Sequence, residues 1–375
     1  MNNKITIPEN IFLSSGYRIQ GHMPTSELVK TTKVADLPDD WDRLATSYFQ
    51  KKRFLSHCEK FNACRQRYYL LYEGATLRAA AVVYTLQIDL FTFSSLKSPV
   101  NMQVIGLPAS VSAPGVMGTP GFAADIIQRL LAVERGLLLG VNLAPELRVA
   151  PGISMPILPN LILDLRQSSW ADYQRSLRSS YRRRLKRITA RFDQVEQVTT
   201  NCDSFSARHY QLYLAILKRT PSRLETLTEA FFKSLPPAFQ LTTYYLPIPT
   251  TSSSPDADPE RRERSTMLCW SITCREAHCC YFFFGGMNYD QLELYDSYFN
   301  NLFGILRIAL QQKCTQLDLG QTAEIPKMRL GGALIPKQMF LYHRRPAIRW
   351  MLRQLKPLIG YQAVFPEVHV FKKGL

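Results

Sequence analysis

From Ser98 to Ala124 the chain carries no charged residue, a stretch long enough to cross a bilayer as a helix. Yet Pro99, Pro108, Pro114 and Pro120, with Gly106, Gly115, Gly118 and Gly121, are scattered through it. Each internal proline removes a backbone donor and clashes with the preceding turn, so the stretch cannot form one continuous helix. No transmembrane segment is expected, and the 46% of hydrophobic residues must serve soluble cores. A length of 375 residues suits two cores of about 150 residues each. The opening MNNKITIPENIF has one lysine and no apolar run of signal-peptide length, and the eight cysteines show no CxxC or zinc-type spacing. A reducing, cytoplasmic setting without a metal site follows.

Strand and helix patterns alternate along both halves. RYYLLYEGATLRAAAVVYTLQIDLFTF, from Arg67, reads as two β-rich runs around a turn at Glu73-Gly74. A short strand at 102–106 follows, then a glycine- and proline-rich loop. The amphipathic AADIIQRLLAVERG ends at Gly136, and strands GLLLGVN and NLILDL (160–165) close the half. The second half begins with the clearest helical pattern, WADYQRSLRSSYRRRLKRITARF. There Tyr173, Leu177, Tyr181, Leu185, Ile188 and Phe192 recur at i+3 or i+4, and eight basic residues from Arg175 to Arg191 fill the other faces. Helices at about 205–219 and 224–235 come next, then strand LTTYYLPI. PTTSSSPDADPERRERST reads as an insertion that cannot bury a core, with disorder expected near 250–264. MLCWSITCREAHCCYFFFGG reads as a hairpin turning at Arg275-Glu276. A helix from Leu294 to Gln312, strand TQLDLG and a strand around 336–343 complete the pattern. The expected fold is α/β (α+β) in two related lobes, each a mixed sheet flanked by helices. The boundaries read as 1–29 (extension), 30–165 (first lobe), 166–350 (basic helix and second lobe) and 351–375 (extension).

A net charge of +16 favours an acidic partner: nucleic acid, an anionic membrane face, a phosphorylated cofactor or an acidic carrier protein. The basic helix offers Arg178, Arg182, Arg183 and Lys186 for such an anion, with Gly118 and Gly121 before a helix as a second candidate. LDLGQTAEIPKMRLGG spends many polar residues on a connection longer than a reversal needs. It therefore reads as one wall of a substrate cleft near the lobe surface. In it Glu324 is a candidate base or amine anchor, Lys327 and Arg329 are phosphate or carboxylate holders, and Gln321 is a substrate contact. Tyr298 and Asp296 are further acid or base candidates, and Tyr295 and Asn300 further contacts. No Ser-His-Asp order or G-x-S-x-G is present.

The blocks DLRQSSWADYQRSLRSSYRRRLKR and ELYDSYFNNLFGILRIALQQKCTQLDLGQTAEIPKMRLGG, with the Tyr289-Asp290 turn before the second, resemble the GNAT fold over residues 30–350. They are similar in particular to the branch related to Fem-type peptidyltransferases, which have two GNAT lobes. The resemblance implies transfer of an acyl or aminoacyl group from a thioester or ester donor to an amine. The leading expectation is an N-acyltransferase using acyl-CoA or an acyl carrier protein and a small-molecule amine acceptor. A tRNA-dependent aminoacyl transferase is the alternative, and a non-catalytic protein holding an anionic partner is the third. The sequence lacks the Q/R-x-x-G-x-G/A loop that grips coenzyme A in simple GNAT enzymes, which leaves the donor open.

Overall fold

The computed structural model describes residues 26–167, 169–220, 225–247 and 265–372, and the backbone of a strand at Asn3–Ile5. The insertion expected at 250–264 lies outside the described residues. Two compact units emerge, Met1–Ile157 with Pro336–Gln362, and Leu158–Ile335 with Ala363–Leu375.

In the first unit β1 (Asn3–Ile5), β2 (Ser26–Thr31), β3 (Arg67–Glu73), β4 (Thr76–Asp89) and β5 (Pro99–Ile105) are successive antiparallel neighbours. Gly74, at φ +60°, lets β3 turn straight into β4. A short β6 (Val116–Gly118) adds to β4. Helix α1 (Pro120–Val133), opened by a proline whose missing N–H costs nothing at that position, buries Ile126, Ile127, Leu130 and Leu131 against Leu71, Ala79 and Val83. It leads to β7 (Leu137–Leu143), which lies parallel to β5.

The chain continues as β8 (Ile153–Asp164), α2 (Trp170–Ser176), α3 (Ser179–Ala190), β9 (Glu196–Asn201), β10 (Phe239–Leu246), β11 (Thr266–Glu276) and β12 (Cys279–Met287). Next come α4 (Ser297–Gln311), β13 (Gln316–Asp318), α5 (Glu324–Met328), β14 (Ala333–Tyr342) and α6 (Pro346–Ile359). In the second unit β9 to β12 are antiparallel neighbours, and α4 connects β12 to a parallel β13. Leaving the short β1 aside, both units thus share one order: four antiparallel strands, a helix, and a parallel fifth strand. The repeat expected from the sequence is present as topology.

Each fifth strand also takes an antiparallel neighbour from an unexpected part of the chain. Residues 162–164 of β8 pair with β13, and residues 338–342 of β14 pair with β7. The strand that follows one lobe in sequence therefore completes the other. This exchange makes each unit discontinuous and moves the divisions away from 165/166 and 350/351. The presumed C-terminal extension is divided too, with α6 in the first unit and Phe371 bridged to Leu177 in the second.

The basic segment is two helices and not one. Leu177 and Arg178 are extended, at ψ 143° and 153°. The C-terminal chain enters this break, where Arg178 N donates to Val370 O (3.0 Å) and Lys372 N to Ser176 O (2.9 Å). The i+3/i+4 spacing continues across the break, so periodicity alone cannot reveal it. The long helix begins at Ser297, three residues later than expected, because Asp296 sits in the left-handed region (φ +46°). The β11–β12 hairpin turns at Ala277 (φ +50°) and His278, two residues past the expected turn. Among the described residues no helix is long and apolar enough to cross a membrane.

Candidate functional site

In the second unit β12 and β13 pair over three residues, Cys279 to Tyr281 against Gln316 to Asp318. Beyond that point they part. The β11–β12 register slips so that Ile272 faces Phe284 while Thr273 faces Phe282, leaving Phe283 as a bulge that bends its strand. The chain after β13 instead follows β8: Leu319 N donates to Leu161 O (2.8 Å) and Leu161 N to Gly320 O (3.2 Å). A mouth opens where the two strands take different neighbours. Gly320 (φ +69°), Thr322 (φ +65°) and Ala323 (φ +49°) carry the chain around its rim. Left-handed conformations at two non-glycine residues store strain of the kind that collects at functional sites.

Helix α5 then delivers Lys327 into the mouth. The sequence suggested a surface anion holder, but Lys327 is 3% exposed. Its Nζ donates to Gln321 O (2.7 Å) and lies 5.8 Å from the ring centre of Phe282, the first β12 residue past the point of parting. Burial brings its pKa from 10.5 down to about 7, although Asp318 and Glu324 pull the other way. A lysine in this state exchanges its proton near neutrality and is a poor permanent cation. Asp318 is braced on both oxygens, accepting from Gly320 N (2.8 Å) and from Asn160 Nδ2 (3.0 Å). Among the described residues Asn160 Oδ1, in a side chain 4% exposed, accepts no hydrogen bond.

The remaining expected residues divide into two groups. Glu324 and Tyr298 come within electrostatic reach of each other, and burial, then Tyr289 and Glu324, raise the Tyr298 phenol and keep it protonated. Gln321 lies at the mouth with its side chain engaged, Nε2 donating to Leu158 O (2.6 Å). Asn300 is a bracket: its amide donates to Ile188 O (3.0 Å) and Tyr295 O (2.9 Å), tying α4 to the end of α3. Asp296 pairs with Arg191 (2.8 Å) at the surface, and Tyr295 packs half-buried in the small cluster around Tyr244 and Met287.

Arg329, just past α5, faces Arg184 of α3 across a pocket whose floor is Leu177, Leu185, Ile188 and Phe303. Arg184 stacks 4.7 Å over Phe299, and burial followed by the charges of Arg329 and Arg187 weakens its hold on its proton. Two guanidiniums over an apolar floor suit an anion with an apolar extension. Arg178 is half-buried and committed to Phe371 O (3.1 Å). Arg182, Arg183, Lys186 and Arg187 are exposed, and among the described residues they form no ion pair.

In the first unit Gly118 (φ +123°) is required by packing, since a Cβ there would stand 2.7 Å from Arg78 O, whereas Gly121 is open and exposed on the first turn of α1. Sequence reasoning missed Asp318, Asn160, Phe282 and Arg184. Asp318 was legible as the acid closing a strand before Gly320. Asn160 had no signal, being 158 residues from its partner.

The second unit is an antiparallel sheet ending in a bulged strand, then a helix and a parallel strand that splays from it, and the first unit repeats the order without that bulge. The fold is GNAT-like. No family model and no curated protein matches the sequence. Among solved structures the chain is similar to FemX, at 8% identity and a TM-score of 0.45, covering 80% of this chain and 92% of that one. It is similar to L-PGS from Bacillus licheniformis at 11% and 0.48, covering 84% and 96%. It is also similar to a tandem GNAT protein from the clavulanic acid biosynthesis pathway at 10% and 0.42, covering 86% and 99%. At such identities and scores these likenesses carry no inference about chemistry.

Proposed function

We propose that the second unit transfers an acyl or aminoacyl group from an activated donor to an amine, at the mouth between β12 and β13. The observation that carries this reading is the buried Lys327 amine, whose pKa of about 7 suits a group that must take and return a proton at neutral pH. In its neutral form Lys327 takes a proton from the acceptor's ammonium group. The freed amine attacks the donor carbonyl, a C–N bond forms, and the C–S or C–O bond to the carrier breaks. The leaving thiolate or alkoxide collects the proton that Lys327 took, or one from the phenol of Tyr298 that Lys327 then restores, and the second proton shed by the nitrogen as the amide forms passes to solvent. Glu324 and Asp318 favour the charged lysine in between. Arg184 and Arg329 suit a phosphate of the donor, with the apolar pocket floor beneath its pantetheine or acyl portion.

A second reading concerns what carries the donor. The exposed cations Arg182, Arg183, Lys186 and Arg187 favour a polyanionic carrier, tRNA or an acidic acyl carrier protein, over a free small molecule. Amide formation is measured with acyl-CoA, acyl carrier protein and aminoacyl-tRNA donors in turn. With the donor that works, kcat/KM rises with pH through about 7, as Lys327 loses its proton. Lys327→Met loses both the rate and the pH step. A variant that keeps both refutes the assignment. Replacing Arg182, Arg183 and Lys186 by Gln weakens a macromolecular donor and flattens its salt dependence, and an unchanged salt slope rejects the carrier reading.

A further inference from the structure

Helix α6 belongs to the first unit, whereas the candidate site lies in the second. Three side chains of large apolar area stand in solvent along it: Trp350 is 65% exposed, Met351 45% and Leu358 43%. At about 100° per residue, Ile348, Leu352, Leu355 and Ile359 form the inward arc, with Leu352 and Ile359 buried. Trp350, Met351 and Leu358, with Ala347 and the polar Gln354 among them, form a separate outward arc. Arg349, Arg353 and Lys356 occupy the third, between the two. A helix with a buried stripe, an exposed apolar stripe and a basic stripe has more apolar surface than its own core uses.

The stretch of chain that contains it carries charge of one sign. From Ile325 to Pro366 the chain contains no acidic residue. Arg349 is engaged with the carbonyls of His343 (2.9 Å) and Arg344 (2.8 Å), and Arg344 reaches Ala132 O. Arg345, Arg353 and Lys356 have no ion-pair partner among the described residues and are exposed. The helix is anchored from below, since Gly360 packs on Met155 and Tyr361 sets its ring edge-on to Phe93 at 5.2 Å. Its outward face is therefore displayed on a fixed support.

We infer that α6 is a membrane-surface helix that docks the protein on an anionic bilayer. Trp350, Met351 and Leu358 enter the boundary between headgroups and acyl chains, and Arg345, Arg353 and Lys356 meet lipid phosphates. Tryptophan beside long basic side chains is the composition an interfacial helix needs, because the ring sits at headgroup depth and the cations stay in water. Nucleic acid would use the same cations but gains little from an exposed Met351 and Leu358, which favours lipid.

The test uses the full chain with phosphatidylcholine vesicles, with and without phosphatidylglycerol. Trp41 and Trp270 are fully buried and Trp170 is stacked on Tyr173 at 5.4 Å, so a change in tryptophan emission on binding reports Trp350. Co-sedimentation with the phosphatidylglycerol vesicles, a blue shift, and quenching by brominated lipid are expected, and Trp350→Phe abolishes the shift. Changing Arg345, Arg353 and Lys356 to Gln weakens binding roughly a hundredfold, at about fivefold for each charge. The quenching needs no variant, so a misfolded mutant cannot obscure it. Failure to bind the phosphatidylglycerol vesicles overturns the inference. So does binding without quenching of tryptophan, or a short RNA duplex that binds through these three cations while vesicles do not. A concentration-dependent dimer that Trp350→Glu dissociates, in the absence of vesicle binding, overturns it in favour of a second copy of the chain.

Discussion

The two units share a strand order and differ at the place where the fourth and fifth strands separate. In the first unit the chain after β5 folds back against the strand ends. Tyr84 Oη donates to Leu107 O (3.3 Å), and Asn142 Nδ2 on β7 donates to Val111 O (2.8 Å). A Cβ on Gly115 would stand 2.4 Å from the backbone of Gly106, so the two chains touch backbone to backbone. Leu107, Ala109 and Val111 are buried there. In the second unit the same position holds Lys327, Asp318 and Glu324. One fold thus supports two uses of the same gap: packed with apolar chain it adds stability, and lined with a desolvated amine it can add chemistry at a cost in stability. Under the proposed function, the first unit would serve as support and the second as the place of reaction.

The largest expected effect is at Lys327. Lys327→Met should lower turnover roughly a hundredfold to ten-thousandfold, the usual range for losing a positioned acid or base. Its melting temperature at neutral pH should not fall, because a buried amine is replaced by an apolar chain of similar volume. Amide formation and a thermal melt on one preparation check both, and a stability loss with unchanged turnover would reverse the roles of the two units.

Gly115→Ala should do the opposite. With no space for a methyl group against Gly106, the variant should lose about 3 kcal/mol or more of stability and retain its turnover per folded molecule. Denaturant unfolding beside active-fraction kinetics separates the two quantities.

A smaller effect follows from the Lys327 pKa, about 7 in the fold against an ordinary value of 10.5. Between those pH values the unfolded chain binds a proton that the folded chain does not, so this residue makes stability rise with pH from about 7 to 10.5 and contributes no slope below. The difference in unfolding free energy between the parent and Lys327→Met should change by on the order of a few kcal/mol across that window, and a constant difference would mean that the amine is not buried in solution.

The smallest effect is at Asp296, whose ion pair with Arg191 is partly exposed. Asp296→Asn should stay within about 0.5 kcal/mol, since asparagine tolerates the left-handed backbone as well as aspartate does. It should leave kinetics unchanged, and a large rate loss would return Asp296 to the candidate acids.

What the sequence determined is what local spacing encodes. The Gly74 hairpin, α1, the core face of the basic segment and the order strand, helix, strand follow from periods of two and 3.6 residues and from turn chemistry, all short-range properties. The LDLG motif marked the rim of the mouth for the same reason, because a glycine after a short apolar strand signals a change of backbone direction. The tertiary structure decided whatever depends on distant chain. It broke the basic helix at Leu177 by inserting Phe371, and it exchanged β8 and β14 between the units. It also turned Lys327 from a surface cation into a buried amine. That last change has no local sequence signal, since a lysine's proton affinity depends on the solvent it loses. Here the loss is made by packing at the rim and by Phe282, 45 positions earlier in the chain.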